Sequence, residues 1–548
     1  MAVVDRRAHR PHPHRLAAVA TVLALASGAL AGTATAAPDR RAAQKGGGDL
    51  TFALEAETTQ YCLPRAQLAI SGIQVVAAIY DTLTVPNSKG EIVPYLAKSV
   101  EPNADFTQWT ITLRDGVTFH DGTPLDATAL KLNLDSYRGA PGAPNTGDLF
   151  VIYFKFIQDV QVVDPLTVSV TLKTPVADFP AYLYSTGRLG IVAPAQLNSG
   201  TACESNLIGT GPFKLSEYRQ NERTVVTKNP DYWQKGYPKA DQITFIPVPE
   251  GAQRVVQLQG GQVDLMHTDN AIHIDSLRQL GNQVKLLTQK PGLREIHYDF
   301  LLTGNAPFDD PIARQAFALA VDRQKIRQIR TKNGFELANS IMDRDAPGYL
   351  KDAGYPKHNL AKAKKLVEQY KAAHGGTFQV ILGGTTDQDS GAEMQLIKDM
   401  LNQAGITAEI AQFDQATLIN KALGGDINML DWRNLHGGFT THNDESSYIW
   451  FADYDTGNLV NFGHFSDPTT QGPLDAGRSL TDINAIDANY RKFNQAMAKA
   501  LYLLPLWYVN WTIGYQSNVK LTFPPLPDGN GKPLYVYGRI PLLGISKS

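Results

Sequence analysis

The sequence predicts an α/β protein built in two or more lobes, and three observations predict it. The chain has 548 residues, too many for one small core. Phe378, Val380 and Leu382 alternate as a strand, Leu396, Ile397, Met400 and Leu401 mark a helix, and Ile406, Ala408 and Ile410 alternate again. A strand–helix–strand unit of that length forms a parallel, right-handed crossover. Elsewhere, alternating segments stand next to helices with clear N-cap residues.

Taken in order, the chain opens with Arg6, Arg7, Arg10 and Arg15, an apolar run from Leu16 to Leu30, and Ala34-Thr35-Ala36. This is the pattern of a cleavable export signal. Leu30-Ala31-Gly32-Thr33 carries Thr where a lipid-bearing Cys would stand, so no lipid tether is expected there. The whole chain has a net charge of −2, and loss of the signal makes it more negative. That excludes the basic surface nucleic-acid binding needs. Only Cys62 and Cys203 are present, and an even pair in an exported protein points to a disulfide, with two buried thiols as the alternative.

Leu50 to Leu54 reads as a first strand, and Ile73, Val76 and Tyr80 as a helix face. Trp109, Ile111 and Leu113 alternate, Asp115-Gly116 is a turn signal, and Val117 and Phe119 resume the alternation, so a β-hairpin is expected. Asp126 is placed to cap a helix carrying Leu130, Leu134 and Tyr137. Two more strands flank Asp164-Pro165. Asp310-Pro311 and Asn359 open helices with apolar faces at Ala316 and Leu319 and at Ala363, Val367 and Tyr370. Gly383-Gly384-Thr385-Thr386 is read as the turn before a helix over 392–404.

Several of these stretches resemble one family. LRDGVTFHDGTPLDA (113–127), Ile208-Gly209-Thr210-Gly211-Pro212-Phe213, Asn229-Pro230-Asp231-Tyr232-Trp233 and the run from Asp310 to Ile326 are similar, in order, to landmarks of the family 5 solute-binding proteins. These are extracytoplasmic receptors of ABC importers for peptides, nickel and related solutes. The resemblance implies a bilobal periplasmic-binding-protein-like fold of the cluster C type, with an extra subdomain in the first lobe. On that reading residues 1–36 are the signal peptide and 37–49 a flexible leader. Lobe I covers 50–290, with 81–200 as its extra subdomain; lobe II covers 291–509, and 510–548 return to lobe I.

Enzyme chemistry finds little support: the chain has no HExxH, GxSxG or GxxxxGK[ST] motif. His120-Asp121 sits in a turn of a scaffold motif. His267 and His273, like His436 and His442, are six apart, which is no helical ligand pair, and no metal site or cofactor is expected. The resemblance instead directs attention to Asp431-Trp432-Arg433-Asn434, a strand end entering a Gly-rich loop. It implies that Trp432 lines the ligand cleft. Peptide-binding members often carry an Asp three residues after that Trp to pair with an α-ammonium, whereas Leu435 stands here; Asp431 or Asn434 are the available substitutes. Arg433 presents a planar fork of donors for a ligand carboxylate or phosphate, or else forms a salt bridge.

Location adds Tyr61 in the first-lobe loop, Arg188, and Arg294 and His297 at the expected first crossing between lobes. Trp507, Tyr508 and Trp511 lie at the return crossing. The expected function is a non-enzymatic, monomeric receptor that closes over a short peptide or peptide-like molecule. It would deliver that solute to an ABC permease and its cytoplasmic ATPase. The alternatives are an oligosaccharide, opine or metal chelate in the same role, or a secreted hydrolase or sensory binding protein.

Overall fold

The computed structural model describes residues 47–548, apart from 59, 67, 145–150, 152, 204, 205, 435–441, 443, 536 and 537, and without the side chains of Thr201, Ala202 and Asn434. The expected signal peptide, most of the expected leader, Leu435 and His436 lie outside the described residues. The leader is shorter than expected at its far end. Asp49 already belongs to the first strand, and Gly48 N donates to Asp241.

Two sheets carry the architecture. The first has seven strands, in the order Val284–Thr288, Thr512–Gln516, Leu265–Thr268, Asp49–Leu54, Gln242–Pro247, Arg223–Lys228 and Phe213–Arg219. Asp49–Leu54 runs parallel to both its neighbours, and the remaining pairs are antiparallel. The second has five strands, in the order Thr407–Phe413, Gln379–Thr385, Met429–Asn434, Ile296–Leu301 and Leu503–Tyr508.

Gln379–Thr385 and Thr407–Phe413 pair in parallel through helix Gln388–Ala404, the crossover the alternation predicts. Two details differ. The strand continues through Gly383 and Gly384 to Thr385, and the helix starts four residues early because Asp387 caps it, accepting from Asp389 N and Ser390 N.

The chain leaves the first sheet at Thr288, enters the second at Ile296, leaves that at Tyr508 and returns at Thr512. The two crossings are bonded to each other: Gln289 N donates to Trp511 O at 2.8 Å and Val509 N to Glu295 O at 2.9 Å. A two-chain ribbon therefore joins the sheets, which is the form a hinge takes.

A third, four-stranded antiparallel sheet is ordered Ala97–Pro102, Gln108–Leu113, Thr167–Leu172 and Ile157–Asp164. Here the expected hairpin is not what forms. Gln108–Leu113 pairs with the strands at 97–102 and 167–172, and none of its partners is Val117 or Phe119. Val117 and Phe119 instead fold onto 123–125 about Asp121-Gly122, with Phe119 N donating to Thr123 O and Leu125 N to Val117 O. Both Asp-Gly pairs turn the chain, but long-range partners decided which strands met. The helix cap is as read: Asp126 accepts from Ala129 N at 2.8 Å, and the helix spans Ala127–Arg138.

The glycine-rich landmark at 208–213 is explained by close packing. A Cβ on Gly209 would meet Ile79 O at 2.1 Å, and one on Gly211 would meet Ile79 C at 2.4 Å. The turn thus clasps the end of helix Ile70–Ile79 at a distance only glycine allows. His120 is equally structural, its Nε2 lying 2.9 Å from Gly211 O.

Next to this clasp Asp81 is buried among Trp233 Nε1 at 2.9 Å, Tyr232 Oη at 3.2 Å and Thr210. Burial pushes its carboxyl up to about 7, against the pull of these donors. The folded form therefore holds the proton more tightly than the unfolded chain. The stability it contributes is complete below about pH 4 and is lost as pH rises through about 7, up to roughly 4 kcal/mol. The expected result is a melting temperature that falls between pH 5 and pH 8.5 more steeply in the wild type than in Asp81→Asn. Parallel curves from calorimetry would remove Asp81 as a source of that slope.

Candidate functional site

A cavity of about 660 Å³ opens where the two large sheets face each other. Lobe I contributes the segment that follows its first strand, from Glu55 to Thr58, Asp269 and Asn270 at the start of helix Ala271–Gln279, and Arg254. Lobe II contributes the start of helix Gln388–Ala404, the start of helix Gln415–Gly424 with its cap Asp414, and Asp431, Trp432 and Arg433 from the strand Met429–Asn434. Trp432, Trp450, Trp507 and Phe462 supply apolar wall.

The wall is acidic. Nine carboxyl side chains line it against four guanidinium groups among the described residues. Many are paired internally, as Asp389 is with Arg330 at 2.9 Å. Glu57, Asp387 and Asp414 have no ion pair among the described residues; Asp387 and Asp414 cap helices, and Glu57 accepts from Asn221 N. Burial raises the Glu57 carboxyl.

Arg433 lies between the lobes. Its guanidinium bonds Glu55 and, at 2.8 Å, Asp269, both on lobe I, and stands 4.9 Å above the Trp511 ring. Burial opposes the charge, yet Asp269, Glu55 and Glu295 together hold it more firmly than usual. In this arrangement the fork of donors expected to take a ligand carboxylate already holds two carboxylates of its own chain. Trp511 is fully buried behind the wall, donating to Glu295 at 2.5 Å. Burial pushes that Glu295 carboxyl up to about 7.

Asp431 and Trp432 reach the cavity, as does Arg188, which is anchored by its bond to Leu68 O at 3.1 Å. Asn434 ends the same strand, with its side chain outside the described residues. Tyr61 differs from expectation: it is 4 % exposed, packs edge-on against Tyr218 at 5.4 Å, and belongs to the lobe I core rather than the cavity wall. Arg294 is also removed from the cavity by its two-point grip on Asp343, at 3.0 and 2.8 Å. Cys62 and Cys203 form a disulfide with Cα atoms 5.8 Å apart.

His297 was visible only by location, and the structure gives it a precise setting. Its Nε2 lies 2.9 Å from Glu393 Oε1 and 2.8 Å from Asp431 Oδ1, and its ring stacks on Trp507 at 4.3 Å. Burial disfavours its charge, but Glu393 and Asp431 outweigh burial and raise its pKa well above the ordinary range. Burial raises Glu393, and His297 holds Asp431 low despite burial. The available signal was an ionisable His297 and Asp299 inside the otherwise apolar strand Ile296–Leu301.

Comparison with known proteins bears on this geometry. The family described as "Bacterial extracellular solute-binding proteins, family 5 Middle" matches residues 91–458. A glutathione-binding protein GsiB from Salmonella paratyphi A is 29% identical over 376 residues, covering 68% of this chain and 71% of the relative. The solved structure of AgaA from A. tumefaciens R10, in complex with agropinic acid, is 27% identical, with a TM-score of 0.77 over 88% of this chain and 96% of that one. The periplasmic binding protein DppA from Helicobacter pylori, in complex with the peptide STSA, shares the fold at a TM-score of 0.78, with 21% identity over 87% of this chain and 96% of its own. No helix among the described residues is long and apolar enough to cross a membrane.

Proposed function

The chain belongs to the family 5 bacterial extracellular solute-binding proteins, and from that premise we propose that it is the exported, monomeric receptor of an ABC importer for a short peptide or peptide-like solute with a cationic end. Such receptors bind small solutes and work with a membrane permease and its ATPase. The receptor closes two lobes over the solute, presents the closed form to the permease, and performs no chemistry on its cargo. Export by cleavage after the A-x-A pattern near Ala36 accompanies this reading.

The observation that carries the solute class is the acidic wall of the cavity. The cavity's volume suits a ligand of a few residues, and the wall carboxylates Asp387 and Asp414 have no ion-pair partner among the described residues. An ammonium or guanidinium group would meet these carboxylates with opposite charge; a ligand carboxylate would add to their repulsion. Trp432 and Trp450 would cover the ligand's apolar part. The agropinic acid complex of AgaA keeps an opine as the alternative solute.

A thermal-shift screen checks this directly. Dipeptides to pentapeptides with a free amino terminus, the same peptides N-acetylated, and opines would be compared. A ligand at a hundred times its Kd stabilises the native state by about 2.7 kcal/mol. Free-amine peptides, above all those with Lys or Arg, are expected to raise the melting temperature by several degrees, and acetylated, uncharged ones much less. Equal shifts for both sets would remove the cationic-end reading, and shifts with opines alone would replace the peptide class.

A further inference from the structure

Two neighbouring strands of lobe II bring ionisable side chains to one face. Ile296–Leu301 and Met429–Asn434 pair antiparallel, with Asp299 opposite Asp431. His297 and Asp299, two residues apart on one strand, share a face. Helix Gln388–Ala404 contributes Glu393 to the same cluster.

The ligating atoms of His297, Glu393 and Asp431 all lie within 4.8 Å of one another, and all three residues line the cavity. Two donor atoms bound to one ion at about 2.1 Å lie roughly 3.0–3.5 Å apart. The present separations of 2.9 and 2.8 Å from His297 Nε2 therefore need only a small expansion to admit an ion.

A second observation concerns a residue outside that group of three. Asp299 is 0% exposed, and neither of its carboxylate oxygens has a hydrogen-bond partner among the described residues. The charges acting on it are those of Glu393, Asp431 and His297. A buried carboxyl lacking any donor is uncommon and calls for an explanation. A cation held by His297, Glu393 and Asp431 supplies one, as a positive charge acting on Asp299.

We propose that His297, Glu393 and Asp431, backed by Asp299, form a binding site for a divalent transition-metal cation on the lobe II wall of the cavity. One imidazole with carboxylate oxygens suits Zn²⁺, Mn²⁺ or Co²⁺ better than the all-oxygen cages of Ca²⁺. The supporting contacts are those that fix ligands in metal sites. Ser390 Oγ donates to Asp431 at 2.9 Å, and the Trp507 ring holds the imidazole plane. Because the three ligands face the cavity, the ion's open position faces the solute. The site stands on its own geometry, whichever solute the receptor carries.

The test uses the untagged chain after chelator treatment and desalting. Zn²⁺, Mn²⁺ and Co²⁺ are each titrated calorimetrically, and visible absorption is followed for Co²⁺. The expected result is one saturable equivalent for at least one metal and a Co²⁺ band of imidazole–carboxylate coordination. His297→Ala and Glu393→Gln should each weaken that binding by about 100-fold or more, and Asp299→Asn by about 10- to 100-fold. Asp275→Asn, an exposed change on lobe I, should leave it unaltered. Circular dichroism in chelator selects the variants that remain folded, and the conservative Glu393→Gln is the safeguard if His297→Ala does not fold. Absence of a saturable equivalent with all three metals overturns the proposal. So does undiminished binding in folded Glu393→Gln and His297→Ala, which would place the ion on other carboxylates.

Discussion

Replacing Arg433 by Ala is expected to open the cleft and to weaken solute binding by about 100- to 1,000-fold. In the closed arrangement this one guanidinium from lobe II bridges Glu55 and Asp269 of lobe I, with Glu295 close by. Its side chain is 25% exposed and those of Glu55 and Asp269 are 11% and 17% exposed, so water screens them little. Breaking such a pair from one side costs about 3–5 kcal/mol, because the remaining charges stay buried without a partner. When the lobes separate, water reaches the same carboxylates and most of the cost disappears. The loss therefore falls on closure, and apparent affinity falls with the population of the closed form. Small-angle scattering of the ligand-free variant should show a larger radius of gyration than the wild type. Calorimetry with the solute found by the thermal-shift screen measures the affinity. Arg433→Lys keeps the charge but loses the two-pronged grip, and should fall between the two. If scattering and affinity both stay at wild-type values, Arg433 does not latch the lobes.

The contrast between Arg433 and its partners shows what the sequence could and could not reveal. Local chemistry was legible. Asp126, Asp310 and Asn359 cap the helices assigned to them because a cap needs only a backbone N–H two or three residues away. The parallel crossover at 379–413 was legible for a similar reason, since strand, helix and return strand lie within one continuous segment. The motif around Trp432 lies on one wall of the cavity. Its electrostatics were not legible, because Glu55 lies 378 residues from Arg433 and Glu393 lies 96 residues from His297. Tyr61 was misplaced because loop position says nothing about the direction of a ring, and this one turns into the core beside Cys62. The hairpin at 109–119 failed where a local turn signal competed with partners from 97–102 and 167–172. His297 and Asp299 are the instructive case. Ionisable side chains in a fully buried strand break the local pattern, and such breaks belong to sites more often than to scaffold.

Removing the disulfide carries the other large effect, and it falls on stability instead of binding. Cys62 and Cys203 are 141 residues apart, and the segment between them contains helix Ile70–Ile79 and the whole four-stranded sheet. Closing a loop of that length in the unfolded chain is worth about 5 kcal/mol in the chain-entropy account. Both sulfurs belong to buried residues of the lobe I core, so Cys62→Ser with Cys203→Ser also places two hydroxyls in an apolar setting. Cys62→Ala with Cys203→Ala avoids that second cost and isolates the cross-link. The Ala pair should lower the denaturant midpoint of the lobe I transition and leave that of lobe II nearly unchanged, since both cysteines precede in sequence every strand of the five-stranded sheet. The Ser pair should lower it further. Tryptophan fluorescence and far-ultraviolet circular dichroism, followed through a guanidinium titration, should then separate into two transitions where the oxidised wild type shows closer coincidence. A single transition shifted equally for both lobes would mean that the lobes unfold together and that the cross-link stabilises the molecule as one unit.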